Sequence, residues 1–137
     1  MKKRDVAVLI LHYEGKILLQ KRSRNAKRFP EKWGLFGGGI EKDECPESGL
    51  KREIEEELNL KLNKVKDIYD LKYILPEKNE EGTIFTFYAK YNQEKLTLNE
   101  GDEMRWVSLD EVLDYDLSKL YRSILEHISQ NREIMVF

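Results

Sequence analysis

The chain has 137 residues, 40% of them hydrophobic and 36% charged, with 26 acids, 24 lysines and arginines and a formal net charge of -2. That length suits a single domain, residues 1–137, with a real core under a surface crowded with charge. The near-balance of charge excludes a nucleic-acid coat protein and a polybasic membrane binder, and no apolar run is long enough to span a bilayer.

In chain order, residues 6–13 are β-prone, Glu14 and Gly15 make a turn, and residues 16–20 return as the second arm of a hairpin. Basic residues precede the first run, but it is too short for a signal peptide and no small-residue cleavage site follows. Residues 23–32 read as a polar, basic loop with Pro30 near its end. Residues 33–36 form a short strand that runs into Gly37, Gly38 and Gly39, where the backbone is freed from Cβ restrictions. Residues 46–58 are the clearest helix, with Pro46 in the first turn and Leu50, Ile54 and Leu58 on one face. Strands are predicted at 65–75 and 83–91, with a charged turn at 76–82 between them, and a shorter strand at 104–107. Ser108 to Glu111 has the spacing of a capping box, so a short helix is expected there. A last helix is expected over 117–129, with Leu120, Ile124 and Ile128 inward. Strands and helices mix without regular alternation, which favours an α+β fold. A lone cysteine, Cys45, cannot form an internal disulfide and points to a reducing, cytoplasmic setting.

The chemistry concentrates between Gly38 and Leu60. Glu53, Glu56 and Glu57 fall at i, i+3 and i+4, positions that a helix places on one face. A glutamate-rich face is ordinarily solvated surface. Here a glycine run precedes it, Glu44 stands just before the helix, and Arg52 lies beside Glu53 and within helical reach of Glu56. Oxygen donors so grouped suit a hard divalent ion, Mg²⁺ first, with Mn²⁺ as the alternative.

The order Gly38, five residues, Glu44, seven residues, then Arg52-Glu53-Ile54-x-Glu56-Glu57-x-Asn59-Leu60 resembles the Nudix box of the MutT/Nudix hydrolase superfamily. Every fixed position matches but one, where Asn59 replaces the last glycine. Asn tolerates a left-handed backbone, so a helix C-cap role survives the change. Phe36 stands where many members carry proline, and Asp43 where many carry glycine.

The resemblance implies an α/β/α sandwich around a mixed β-sheet and Mg²⁺-dependent hydrolysis of a nucleoside diphosphate linked to another group. It implies that Glu53, Glu56 and Glu57 bind metal with a carbonyl of Gly37 or Gly38, and that Glu44 and Arg52 orient them. It also implies one further acid in a later loop. Glu100 is the choice, ahead of Asp102 and Glu103, and either Glu53 or Glu100 is the candidate general base. Among the basic residues of the 23–32 loop and its approach, Arg22 is the candidate phosphate contact. Most aromatics on the strands should be core, with one free to stack on a base.

The favoured substrate is a nucleoside triphosphate, in normal or oxidised form. ADP-ribose or another nucleotide sugar is the alternative, for which Pro76 is a light pointer. A non-hydrolysing nucleotide sensor is a third reading, against which the intact Glu53, Glu56 and Glu57 speak. An isoprenoid-diphosphate isomerase would want a cysteine outside the box, and Cys45 is the only one. The partner is thus a small nucleotide rather than a nucleic-acid polymer or a membrane, with monomer and homodimer both open. The small net charge conceals a segregation: basic residues from Lys21 to Arg28 precede the glycine run, and the acids from Glu41 to Glu57 follow it.

Overall fold

The computed structural model describes residues 1–136. Among the described residues, eight strands form one mixed sheet: β1 (Lys2–Lys3), β2 (Val6–Tyr13), β3 (Lys16–Lys21), β4 (Trp33–Gly34), β5 (Phe36–Gly39), β6 (Lys66–Leu75), β7 (Glu80–Lys90) and β8 (Glu103–Ser108). Two helices, α1 (Pro46–Leu58) and α2 (Lys119–Gln130), cover its faces.

Strand β2 explains the layering. Its side chains alternate, and both sets are buried. Val6, Val8 and Ile10 join the core that holds Ile124, Leu125 and Ile128 of α2. Ala7, Leu9 and Leu11 join the opposite core, with Leu50, Ile54 and Leu58 of α1. The expected α/β/α sandwich follows from a strand that is apolar on both sides.

The sheet forks where the site lies. β2 pairs in parallel with β7 along one edge, but along the other it pairs with β3 only at His12 and Tyr13. Nearer its start, Val6 to Leu9 pair antiparallel with β5, and β4 pairs with the far end of β3. The glycines that follow the expected 33–36 strand are thus themselves part of a strand, held by ladder bonds to β2. Gly37 has φ +143°, and a β-carbon there would fall 2.1 Å from the Ala7 carbonyl oxygen, so no other residue fits this close approach.

Other boundaries also move. The strand expected at 33–36 is two strands, β7 begins at Glu80 rather than Thr83, and β6 carries a bulge between Asp67 and Tyr69. The capping-box spacing at Ser108 does not start a helix. Its hydroxyl accepts the Asp110 N–H in a tight turn, and only a short 3-10 turn, Val112–Asp114, follows. Helix α2 starts at Lys119, capped by Ser118, whose Oγ accepts the Tyr121 N–H.

Helix α1 is bounded as its sequence suggests. Cys45 is the N-cap and its N–H donates to Ser48 Oγ, while Pro46 opens the first turn. Asn59 closes it at φ 55°, ψ 30°, the left-handed conformation that the missing glycine would have adopted. Asp43 likewise takes a left-handed φ of 72° at its glycine-replacing position.

Candidate active site

Arg52 organises one side of the site. Its Nε and Nη2 donate to the two oxygens of Glu44 at 2.7 and 2.9 Å, a fork-on-fork pair. Nη1 donates to Glu53 at 3.0 Å, and Nη2 also reaches the Gly39 carbonyl at 3.1 Å. Glu56 lies 3.5 Å from the same guanidinium and its side chain is 60% exposed. Glu44 accepts a further bond from the Glu41 N–H at 2.8 Å. The Arg52 guanidinium, with that N–H, holds the Glu44 carboxyl down to about 2. Glu44 reciprocally raises the pKa of Arg52. The two residues expected to orient the site are thus locked together across the fork between β5 and α1.

Glu57 is the opposite case. It is 4% exposed, and Gly37 N–H donates to one of its oxygens at 3.0 Å. Burial, with the nearby charges of Glu100 and Glu53, pushes its carboxyl up to about 9, against the lowering effect of the Gly37 bond. Three acids, Glu55, Glu56 and Glu57, fill the last turn of α1, and no basic residue joins them. A helix C-terminus carries partial negative charge, so this arrangement runs against the helix dipole. That misplacement is a sequence-level signal of a site maintained at a cost.

Glu57 faces a cavity of about 240 Å³ at the fork. Glu53, Glu57 and Glu100 line it together with Gly37, Gly38 and Gly39, and Arg4, Arg22 and Arg28 stand among its other walls. A β-carbon on Gly38 would fall 2.6–2.8 Å from the Glu53 carboxylate, so the bare backbone lets that carboxylate come close. Glu100 arrives through the 97–102 segment, stitched to the end of α1 by Thr97 and Asn99 N–H bonds to the carbonyls of Leu58 and Glu57. Its other end is held by the Asp102 N–H on the Lys21 carbonyl. Asp102 and Glu103 do not line the cavity; Glu103 pairs with Arg105 on β8.

Of the basic loop, Arg22 reaches the cavity as expected, its Nε donating to the Arg28 carbonyl at 2.6 Å. Arg28 also reaches it, but its guanidinium is clasped by Glu80 at 2.7 and 3.0 Å. Tyr73 Oη is 2.9 Å from the same carboxylate. Arg24 pairs with Glu31 at the exposed surface instead. Sequence reasoning missed Arg4, Phe29 and Tyr121, which line the cavity from distant positions.

Among the described residues no three acids, histidines or cysteines stand ready as a clasp around one ion. The donor set nevertheless fits a divalent cation. A buried carboxylate with two others for neighbours needs a counter-charge to ionise, and all available donors are oxygen. Glu56 stands apart from the cavity wall, on the outer side of Arg52.

The NUDIX domain family matches residues 1–128. The chain belongs to that family. Nucleoside triphosphatase NudI of Klebsiella pneumoniae (strain 342) is 32% identical to it, over 91% of this chain and 96% of that protein. A crystal structure of a MutT protein from Methanosarcina mazei Go1 superposes with a TM-score of 0.85 at 25% identity, covering 96% of each chain. The NUDIX domain of Shewanella oneidensis NrtR, in complex with ADP ribose, superposes with a TM-score of 0.73 over 99% of this chain and 89% of that one. At 21% identity it shares the fold alone. Within the Nudix chain no described helix is long and apolar enough to cross a membrane.

Proposed function

We propose that this Nudix chain, a single domain over residues 1–137, is a Mg²⁺-dependent hydrolase of nucleoside triphosphates. The observation that carries the reading is the cavity in which Glu53, Glu57 and Glu100 meet Arg22 beside the bare backbone of Gly37 and Gly38. The NudI relative, a nucleoside triphosphatase by name, supports a triphosphate over a nucleotide sugar. The free thiol of Cys45 suits a reducing cytoplasm.

Glu53, Glu56, Glu57 and the Gly38 carbonyl would hold Mg²⁺. When bound, the ion supplies neutralisation of phosphate charge and a more acidic water. The remaining work belongs to the chain. Arg22 holds a phosphate oxygen, and the glycine strand lets the phosphate chain approach without side-chain obstruction. Glu44 and Arg52 fix the orientation of Glu53 through the bonds described above. Glu53 or Glu100 accepts a proton from the attacking water. The water oxygen bonds phosphorus as the bridging P–O bond breaks, and its electron pair leaves with the departing phosphate.

The test is a panel of nucleotides with Mg²⁺ and identification of the products. At least one triphosphate should yield monophosphate and pyrophosphate. Tight binding of panel members without turnover of any would replace the hydrolase with a nucleotide sensor.

A further inference from the structure

The cavity does not end at the glycine strand. A second, open groove of about 580 Å³ begins there and shares Arg4, Arg28 and Gly39 with it. The start of the chain, the 40–44 loop and Glu80 make its walls.

Its acids are all engaged. Asp5 accepts the Thr83 N–H at 3.0 Å, Glu44 is held by Arg52, and Glu41 lies 3.7 Å from that same guanidinium. Glu80 is clasped by Arg28. Of its cations, Arg28 is the paired one. Among the described residues, the side chains of Lys2, Lys3, Arg4 and Lys42 have neither an ion-pair nor a hydrogen-bond partner. Its lining holds five cations against four acids, a small positive excess next to the proposed site of cleavage.

Exposed lysines alone are ordinary solvated surface, but Arg4 is different. It is only partly exposed, and its Nε is buried without a partner. A β-carbon on Gly39 would fall 2.8 Å from its Nη1, so the bare glycine lets the guanidinium lie across β5. The adjoining Gly38 is the residue packed against Glu53. Arg4 thus stands at the junction of cavity and groove, with donors to spare.

We infer that this groove is a subsite for the anionic end of the substrate beyond the scissile bond, with Arg4 as its contacting residue and Lys2, Lys3 and Lys42 adding charge. The inference rests on the hydrolase reading and narrows it. Substrates rank by the phosphates they carry on the leaving side. Triphosphates and longer chains stand above diphosphates linked to a sugar, whose leaving side carries one phosphate.

Two measurements on the full chain test this. The first compares kcat/KM for a nucleoside triphosphate and the matching nucleoside diphosphate sugar. Arg4→Ala should lower the triphosphate-to-sugar ratio by about 10-fold or more, chiefly through KM for the triphosphate. Lys42→Glu, at an exposed loop position, should shift the ratio in the same direction by a smaller factor. An unchanged ratio in both variants overturns the subsite. The second measures binding of inorganic tripolyphosphate by calorimetry, without metal. Arg4→Ala should weaken it by about 10-fold, and the affinity should fall as salt rises. Equal affinity in wild type and Arg4→Ala overturns the proposal, whether or not the chain turns over any nucleotide. A chain that hydrolyses nothing yet shows the Arg4-dependent affinity would lose its proposed activity and keep its subsite.

Discussion

The two carboxylates at opposite ends of the signature segment are treated in opposite ways. Glu44, ahead of α1, is forked by Arg52 and held down to about 2. Glu57, in the last turn of α1, is buried with one backbone N–H and two acidic neighbours, and is pushed up to about 9. One carboxylate has its counter-charge within the chain and the other does not. The contrast separates a brace from a candidate binding site: Glu44 completes the structure, and Glu57 ionises at neutral pH only with a cation beside it. Two unit charges roughly 4 Å apart repel by about 4 kcal/mol at an effective dielectric of about 20, enough to matter to a marginally stable domain.

The largest expected effect breaks the contrast at the unpaired end. Glu57→Gln should lower kcat by at least about 100-fold, the upper end of the cost of altering a residue that merely supports a metal ligand. Its melting temperature without metal near pH 7 should be unchanged, because the amide replaces a carboxyl that burial already holds neutral there. Added Mg²⁺ should stabilise the wild type by about 2.7 kcal/mol at a concentration roughly 100 times its Kd, and should fail to stabilise the variant. A loss of activity accompanied by a collapse in melting temperature would make Glu57 a structural residue instead. Glu56→Gln belongs beside it. Glu56 is exposed and near Arg52, and the proposed metal set requires its loss to lower turnover by a similar factor. Near-normal turnover in Glu56→Gln would remove it from that set.

At the paired end, Arg52→Lys keeps the charge and removes the fork. Turnover should fall by about 10–100-fold, since Glu53 loses its orienting bond while the cavity acids remain. Retained wild-type kcat would reduce the Arg52 network to a surface feature.

The contrast also has a pH signature. Glu44 carries a pKa below its ordinary value of 4.5, so its contribution to stability is present in full above that value. It is lost progressively as pH falls from there through about 2. Glu80, also lowered, by Arg28 first, loses its contribution in the same acid direction. Melting temperatures of wild type and Glu44→Gln should therefore differ above pH 4.5 and converge toward pH 2. A constant gap across that range would show that the fork does not depend on ionised Glu44.

Much of this architecture could be read from the sequence, for local reasons. The period of Leu50, Ile54 and Leu58 located α1, and the alternation of residues 6–13 located β2, because both patterns record which side faces a core. The spacing of Glu44, Arg52, Glu53 and Glu57 located the candidate site because a helix and a short loop convert it directly into proximity. What could not be read depends on neighbours remote in the chain. The glycine run is a strand because β2 pairs with it, and no propensity of glycine announces that. Arg4 and Tyr121 meet at one cavity although 116 intervening residues separate them. The Ser108 box failed because Ser108 sits at the end of β8, where its hydroxyl completes a turn. Glu57 differs from Glu56 by one residue, yet one is buried, where the Gly37 N–H meets it, and the other is exposed.

The smallest expected effect concerns the one departure from the family pattern. Asn59 holds the left-handed C-cap that glycine would hold without Cβ strain. On backbone grounds alone, Asn59→Gly should stabilise the helix end by a few tenths of a kcal/mol, roughly the relief of strain less the added freedom of the unfolded chain. Its side chain has a second use. Asn59 Oδ1 accepts from Asn99 Nδ2 at 3.0 Å, and Asn99 immediately precedes Glu100. Asn99 keeps its other bond, to the Glu56 carbonyl, so the segment would loosen without detaching. The net change in stability should stay within about 1 kcal/mol of zero. The informative readout is therefore turnover. A fall in kcat of about 2–5-fold at unchanged stability, from one lost hydrogen bond worth roughly 0.5–1 kcal/mol, would place Asn59 in the support of Glu100. Unchanged kcat would confine it to capping the helix, and Glu100 would then take its position from Asp102, the backbone bonds of Thr97 and Asn99 and the Asn99 bond to the Glu56 carbonyl.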